Sequence, residues 1–143
     1  MKLSIHFTLE ELTHSQTADR KGLDNTPNAV ALNNLTITAC NLEKVRELLG
    51  HPIIISSGYR SPAVNRAVGG VATSAHTQGW AVDFICPAFG TPKQIVDAIK
   101  AAGVKVDQCI EEGTWVHISF APTYRNQFLK ATFKNGKATY TNY

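Results

Sequence analysis

Ser74-Ala75-His76-Thr77-Gln78-Gly79-Trp80-Ala81-Val82-Asp83 is the stretch on which the reading of this chain turns. It sets one imidazole and one carboxylate either side of a glycine. Gly79 permits a turn, so His76 at the end of a loop and Asp83 on the strand that follows can point at one spot. A second imidazole, His117, lies in Thr114-Trp115-Val116-His117-Ile118-Ser119. A sheet neighbour of the Asp83 strand would bring it alongside. Two imidazoles and a carboxylate suit Zn²⁺, and three protein ligands with one position open are the pattern of a catalytic rather than a structural site. Helical zinc motifs of the HExxH type reach the same end by i,i+4 spacing, and the chain has none. Spacing alone leaves the plain alternatives open: a histidine hydrogen-bonded on a strand, and an aspartate capping a turn.

The flanking sequence supplies the frame. Ala81–Ile85 reads as a strand with Asp83 on the face of Ala81 and Ile85, and with Val82 and Phe84 on the other. Pro52–Ser56 is a β-branched run read as a buried strand, and Ser57–Thr73 as a Gly-, Ser- and Pro-rich loop. Upstream, Leu32, Leu35, Ala39, Leu42, Val45 and Leu49 recur at helical steps from a start at Pro27 or Asn28, and Gly50 stops them. Thr8-Leu9-Glu10-Glu11 is a capping box for a short helix. Thr13–Pro27 reads as turn-rich.

Downstream, Thr91-Pro92-Lys93-Gln94 opens a second amphipathic helix carrying Ile95, Val96, Ile99 and Ala102, ended by Gly103. Val104–Ile110 and Thr114–Phe120 read as two strands joined around Glu111-Glu112-Gly113. Asn135-Gly136 makes a type I′ turn between two terminal strands. Helices first, then strands around one more helix, predict an α+β fold with a small, mostly antiparallel sheet.

The totals restrict the class. A chain of 143 residues with 43% hydrophobic and 17% charged residues reads as one soluble domain, residues 1–143. A net charge of +3 without a basic run argues against nucleic-acid binding and suits weak attraction to an anionic polymer. No apolar run is long enough to span a membrane, so no membrane insertion is expected. Met1–Phe7 carries no secretory signal pattern. Cys40, Cys86 and Cys109 are an odd set in apolar contexts, read as buried free thiols of a protein made in the cytoplasm.

Ser74-x-His76-x-x-Gly79-x-Ala81-x-Asp83 resembles the SxHxxGxAxD signature of the zinc D-alanyl-D-alanine peptidases and their endolysin relatives, the M15 peptidase family. Ser57-Gly58-Tyr59-Arg60-Ser61 and Trp115-Val116-His117 resemble two further blocks in the same order. The likeness covers about residues 7–120 and looks closest to the compact, single-domain branch often found in phage and prophage genomes. Residues 121–143 match no block.

The resemblance implies a hedgehog/D,D-peptidase-like fold and one Zn²⁺ per chain held by His76, Asp83 and His117. It implies a monomer acting on peptidoglycan or muropeptides: a metalloprotease that is a D-Ala-D-Ala carboxypeptidase or an endolysin endopeptidase, reaching the cell wall after holin-type release. Many members place a glutamate three residues before the last histidine, where this chain has Thr114. The general base then falls to Glu112, with Glu111 as the alternative. Arg60 is implied as substrate-contacting and oxyanion-stabilising, its plain alternative being a surface ion pair. Ser74, Tyr59 and Gln78 are candidates for the substrate cleft, Ser74 also as a support for a ligand.

Two other classes stay in view. One is a non-catalytic cell-wall-binding or assembly module that keeps the zinc fold. The other is a hedgehog-type signalling protein, which would carry a secretion signal and paired cysteines.

Overall fold

The computed structural model describes residues 1–143. Its helices are α1 (Leu9–Thr13), α2 (Gln16–Lys21), α3 (Ala29–Leu49), α4 (Pro62–Ala67) and α5 (Pro92–Ala101), with a 3₁₀ turn at Ala75–Gln78. Its strands are β1 (Ile54–Ser57), β2 (Ala81–Ile85), β3 (Gln108–Glu111), β4 (Val116–Ser119), β5 (Gln127–Lys134) and β6 (Lys137–Asn142). They form one sheet in the order β1-β2-β4-β3-β5-β6. Every neighbouring pair is antiparallel except β3 and β5. The fold is α+β, as its element order implies.

Local chemistry explains most boundaries. Both capping boxes form: Thr8 with Glu11 at α1, and Thr91 with Gln94 at α5, where Pro92 opens the helix. Asn28 caps α3 through its side chain, and Gly50 closes it in the left-handed region. Asn135 and Gly136 both take positive φ, as a type I′ turn requires, and join β5 to β6.

The sheet has two unlike faces because strand side chains alternate. Val82, Phe84, Cys109, Val116 and Ile118 point to one side and are fully buried. They pack with Leu35, Ala39, Leu42, Val45 and Leu49 of α3 and Ile95, Val96 and Ile99 of α5 in one core cluster. The other face is left for Asp83 and His117.

Several elements depart from the sequence reading. Two short helices occupy stretches read as turn or loop, α2 and α4, capped by the side chains of Ser15 and Ser61. Strand β3 begins at Gln108 rather than Val104. Val104 is still tied to α5 through its N–H to the Ile99 carbonyl, and Asp107 is drawn into an ion pair. Cys40 is exposed, whereas Cys86 and Cys109 are buried and free. Cys40 follows the buried Ala39 by a single position, and one helical step of about 100° turns it off the buried stripe. No helix is long and apolar enough to cross a membrane.

Asp107 anchors the segment that leads into β5. Its carboxylate accepts from the Arg125 side chain at 3.0 and 2.9 Å, from the Arg125 N–H at 3.0 Å and from the Thr123 hydroxyl at 2.7 Å. The Arg125 hydrogen bond, working against burial, holds its pKa down to about 2 from an ordinary 3.8. A depressed carboxyl stabilises the fold above its unfolded pKa, and that contribution is lost as pH falls from about 4 through about 2. Asp107→Asn should therefore cost about 2 kcal/mol at pH 7. Its thermal stability should decline less than the wild type's as pH drops through that window, as read by circular dichroism melts.

Candidate metal centre and active site

The site is built where the 3₁₀ turn runs into β2. Asp83 on β2 and His117 on β4 are direct cross-strand partners, so their side chains rise together from the open face of the sheet. His76 arrives from the 3₁₀ turn. That turn is capped by Ser74, whose hydroxyl accepts from the His76 N–H, and ended by Gly79 at φ 83°. A side chain at Gly79 would fall 2.7 Å from the Ala31 carbonyl of α3, so only glycine fits this approach. Helix α3 holds the turn from outside: Thr38 donates to the Gly79 carbonyl and Asn34 to the Gln78 carbonyl.

The donor geometry fits a metal ion. His76 Nε2 and His117 Nδ1 lie 3.3 and 3.0 Å from the same Asp83 oxygen. One ligand atom from each of the three residues lies within 4.8 Å of the others. Tetrahedral bonds of about 2.1 Å put ligand atoms about 3.4 Å apart, close to these separations.

The tautomer points the same way. His76 Nδ1 lies 2.8 Å from the Gly58 carbonyl, which can only accept, so Nδ1 carries the proton. In the neutral ring Nε2 then presents a lone pair to a carboxylate, an arrangement that calls for a cation between them. Burial works to raise the Asp83 carboxyl, but the adjoining His117 and His76 outweigh it and hold the group well below the usual carboxylate range. It stays an anionic donor.

The ligands lie in a cleft of about 880 Å³ that is also lined by Arg60, Ser74, Glu112 and Trp115. Glu112 leaves β3 on the face of Ile110, the cross-strand partner of His117. Burial raises its carboxyl above the ordinary value; His117 opposes the shift and Asp83 adds to it. Glu111 turns to the other face and does not line the cleft. Gly113, at φ 85°, makes the bend after Glu112.

Arg60 sits in the loop after β1. Its Nη2 donates to the Ser74 hydroxyl at 3.2 Å and its backbone N–H to the His76 carbonyl at 3.1 Å. Its buried Nε has no partner. Burial lowers the guanidinium pKa and the charge of Asp83 partly restores it. Ser74 thus touches both Arg60 and the His76 backbone.

Two candidates fall outside this constellation. Tyr59 is buried in the core cluster, 4% exposed, and Gln78 is exposed at the end of the 3₁₀ turn. Neither lines the cleft. Tyr59 alternates with Arg60 along the chain, so placing one at the cleft turns the other into the core.

One supporting residue escaped the sequence reading. The Asn25 side chain donates to the carbonyls of Thr13 and Tyr59 and accepts from the Ser61 N–H, pinning the Arg60 loop on both sides. An asparagine in a polar loop carries no local signal of such a role.

A family model described as peptidase M15 matches residues 5–119, the span that holds all three ligand candidates together with Arg60, Ser74 and Glu112. No curated protein matches the chain.

Gly58 gives this site a direct test. An added Cβ would fall 2.3 Å from the Leu12 carbonyl oxygen, a backbone atom that cannot step aside. Gly58→Ala should displace the carbonyl that orients His76 and weaken metal binding about 10- to 100-fold. Competition of the purified variant against a zinc-responsive dye would measure this, and unchanged affinity would show that the Gly58 carbonyl does not orient the ligand.

Proposed function

The chain belongs to the peptidase M15 family, and from that premise we propose that it is a zinc metallopeptidase that hydrolyses peptidoglycan stem peptides next to a D-amino acid. The observation that carries the reading is the convergence of His76, Asp83 and His117 in one cleft with Glu112 and Arg60. The donor set suits Zn²⁺: two neutral imidazoles and one carboxylate leave the loaded site at a net charge of about +1. When bound, the ion supplies Lewis acidity, which lowers the pKa of water toward about 7 and polarises a carbonyl.

The chain's own residues do the rest. Glu112, its carboxyl raised by burial, takes a proton from the attacking water and returns it to the leaving amine. Arg60, which lines the cleft, offers a guanidinium N–H to the substrate oxygen on which charge develops. The Ser74 hydroxyl holds the guanidinium in that position. His76 is kept in the required tautomer by the Gly58 carbonyl. The departure at Thr114 costs no base in this scheme, because the bend at Gly113 leaves Glu112 on the cleft face.

Digestion of purified peptidoglycan, read by mass spectrometry, tests the proposal. The protein would be run with zinc, after chelation and after zinc is restored, beside Glu112→Gln. The expected result is new stem-peptide ends that vanish on chelation, return with zinc, and form about 10²- to 10⁴-fold more slowly in the variant. Binding to the wall without cleavage, at stoichiometric zinc, would assign the chain instead to a wall-binding module that keeps the fold.

A further inference from the structure

The β5–β6 hairpin lies beyond the matched residues 5–119, yet it lines the cleft through Gln127, Leu129, Phe133 and Tyr140. Strand alternation explains this. The paired residues Asp83, His117, Ile110 and Leu129 form one row across the sheet on its open face. Leu129 therefore shares that face with Ala131 and Phe133, and Tyr140 joins them as the cross-strand partner of Ala131.

The next row is the informative one. Glu111 pairs with Lys130, so the same register sets Glu112 beside Ala131, and Ala131 pairs with Tyr140. Glu112 and Tyr140 thus flank an alanine, with backbones about 10 Å apart at two strand spacings. The small side chain between them is buried, so the larger ones on either side close over it and form the cleft surface. Burial raises the Tyr140 phenol above its ordinary value, and the negative charges of Glu112 and Asp83 add to the effect. The phenol is therefore within electrostatic reach of both carboxylates.

Phe133 braces this arrangement from the end. Its ring lies 6.5 Å from that of Trp115 and would meet a Cβ on Gly113 at 3.5 Å. It closes over the bend that carries Glu112. Phe133 and Tyr140 are nevertheless 51% and 50% exposed, large aromatic surface left open beside a catalytic cleft.

We propose that the β5–β6 hairpin is the specificity wall of this cleft and that Tyr140 is a substrate-contacting residue. Its hydroxyl donates to a backbone carbonyl of the bound peptide, and its ring, with Leu129 and Phe133, covers an apolar side chain next to the scissile bond. The proposal rests on the peptidase reading above.

The test uses soluble muropeptides released from purified peptidoglycan by a glycosidase. Steady-state cleavage would be measured for the zinc-loaded wild type, Tyr140→Phe and Tyr140→Ala. Binding would be measured by calorimetry with each Tyr140 change placed in the Glu112→Gln protein, where turnover is slow. Tyr140→Phe should raise KM and the calorimetric Kd about 3- to 10-fold, the loss of one neutral hydrogen bond. Tyr140→Ala should add a further factor of about 5 as the ring is removed. In both, kcat should stay within about twofold, and melting temperature and zinc stoichiometry should be unchanged, because the residue sits on an exposed strand. Unchanged KM and Kd in Tyr140→Ala overturn this assignment alone. A wild type that neither binds nor cleaves muropeptides overturns the peptidase reading and this proposal with it.

Discussion

The pairing register of β2 on β4 is the constraint on which the rest of the molecule depends. Asp83 stands opposite His117 only because Val82 stands opposite Ile118 and Phe84 opposite Val116. Those four apolar side chains are fully buried against α3 and α5. A slip of one residue would exchange the faces, driving a carboxylate into the core and lifting a valine and a phenylalanine into the cleft. The hydrophobic face thus fixes the polar one. The site needs no separate device to align two of its three ligand candidates, and the same pairing carries through Ile110 to Leu129 and orders the far wall.

The third ligand candidate is less securely placed by pairing and is held by backbone carbonyls instead. The Gly58 carbonyl orients the His76 ring, and α3 grips the 3₁₀ turn through the carbonyls of Gln78 and Gly79. Gly58 and Gly79 both sit where a Cβ would collide with another backbone segment. Close approach is therefore the common requirement, and the positive φ of Gly79 adds to it. Asn25 ties the Arg60 loop to the end of α1. A polar, solvated cleft is in this way carried on a rigid scaffold of short carbonyl contacts, which suits a site whose groups must not reorganise during reaction.

Much of this was legible in the chain before any coordinates. The apolar stripe of α3, both capping boxes and the Asn135-Gly136 turn are local signals, and each names its own structure. The approach of His117 to Asp83 follows from placing both on neighbouring strands. What stayed hidden depends on long-range register or on short elements. Helices α2 and α4 are too brief to show a period, although Ser61-Pro62 is a cap-and-first-turn pair that could have been noticed. Glu111 and Glu112 differ only by the face of β3, and the face follows from its pairing with β4 rather than from the residues themselves. The turning of Tyr59 into the core, and the arrival of Tyr140 at the cleft from the far end of the chain, likewise depend on tertiary placement that no local pattern encodes.

The uneven placement of the three cysteines has a practical chemical consequence. Burial pushes the Cys109 thiol up to about 12, and Cys86 is sealed in the core, so neither is open to reagents in the native state. Cys40 is exposed on α3, which packs on the face of the sheet opposite the cleft. The folded chain therefore behaves toward alkylating reagents as a one-thiol protein. A fluorophore or crosslinker attached there would leave the cleft free and report the attachment of the intact molecule to a surface.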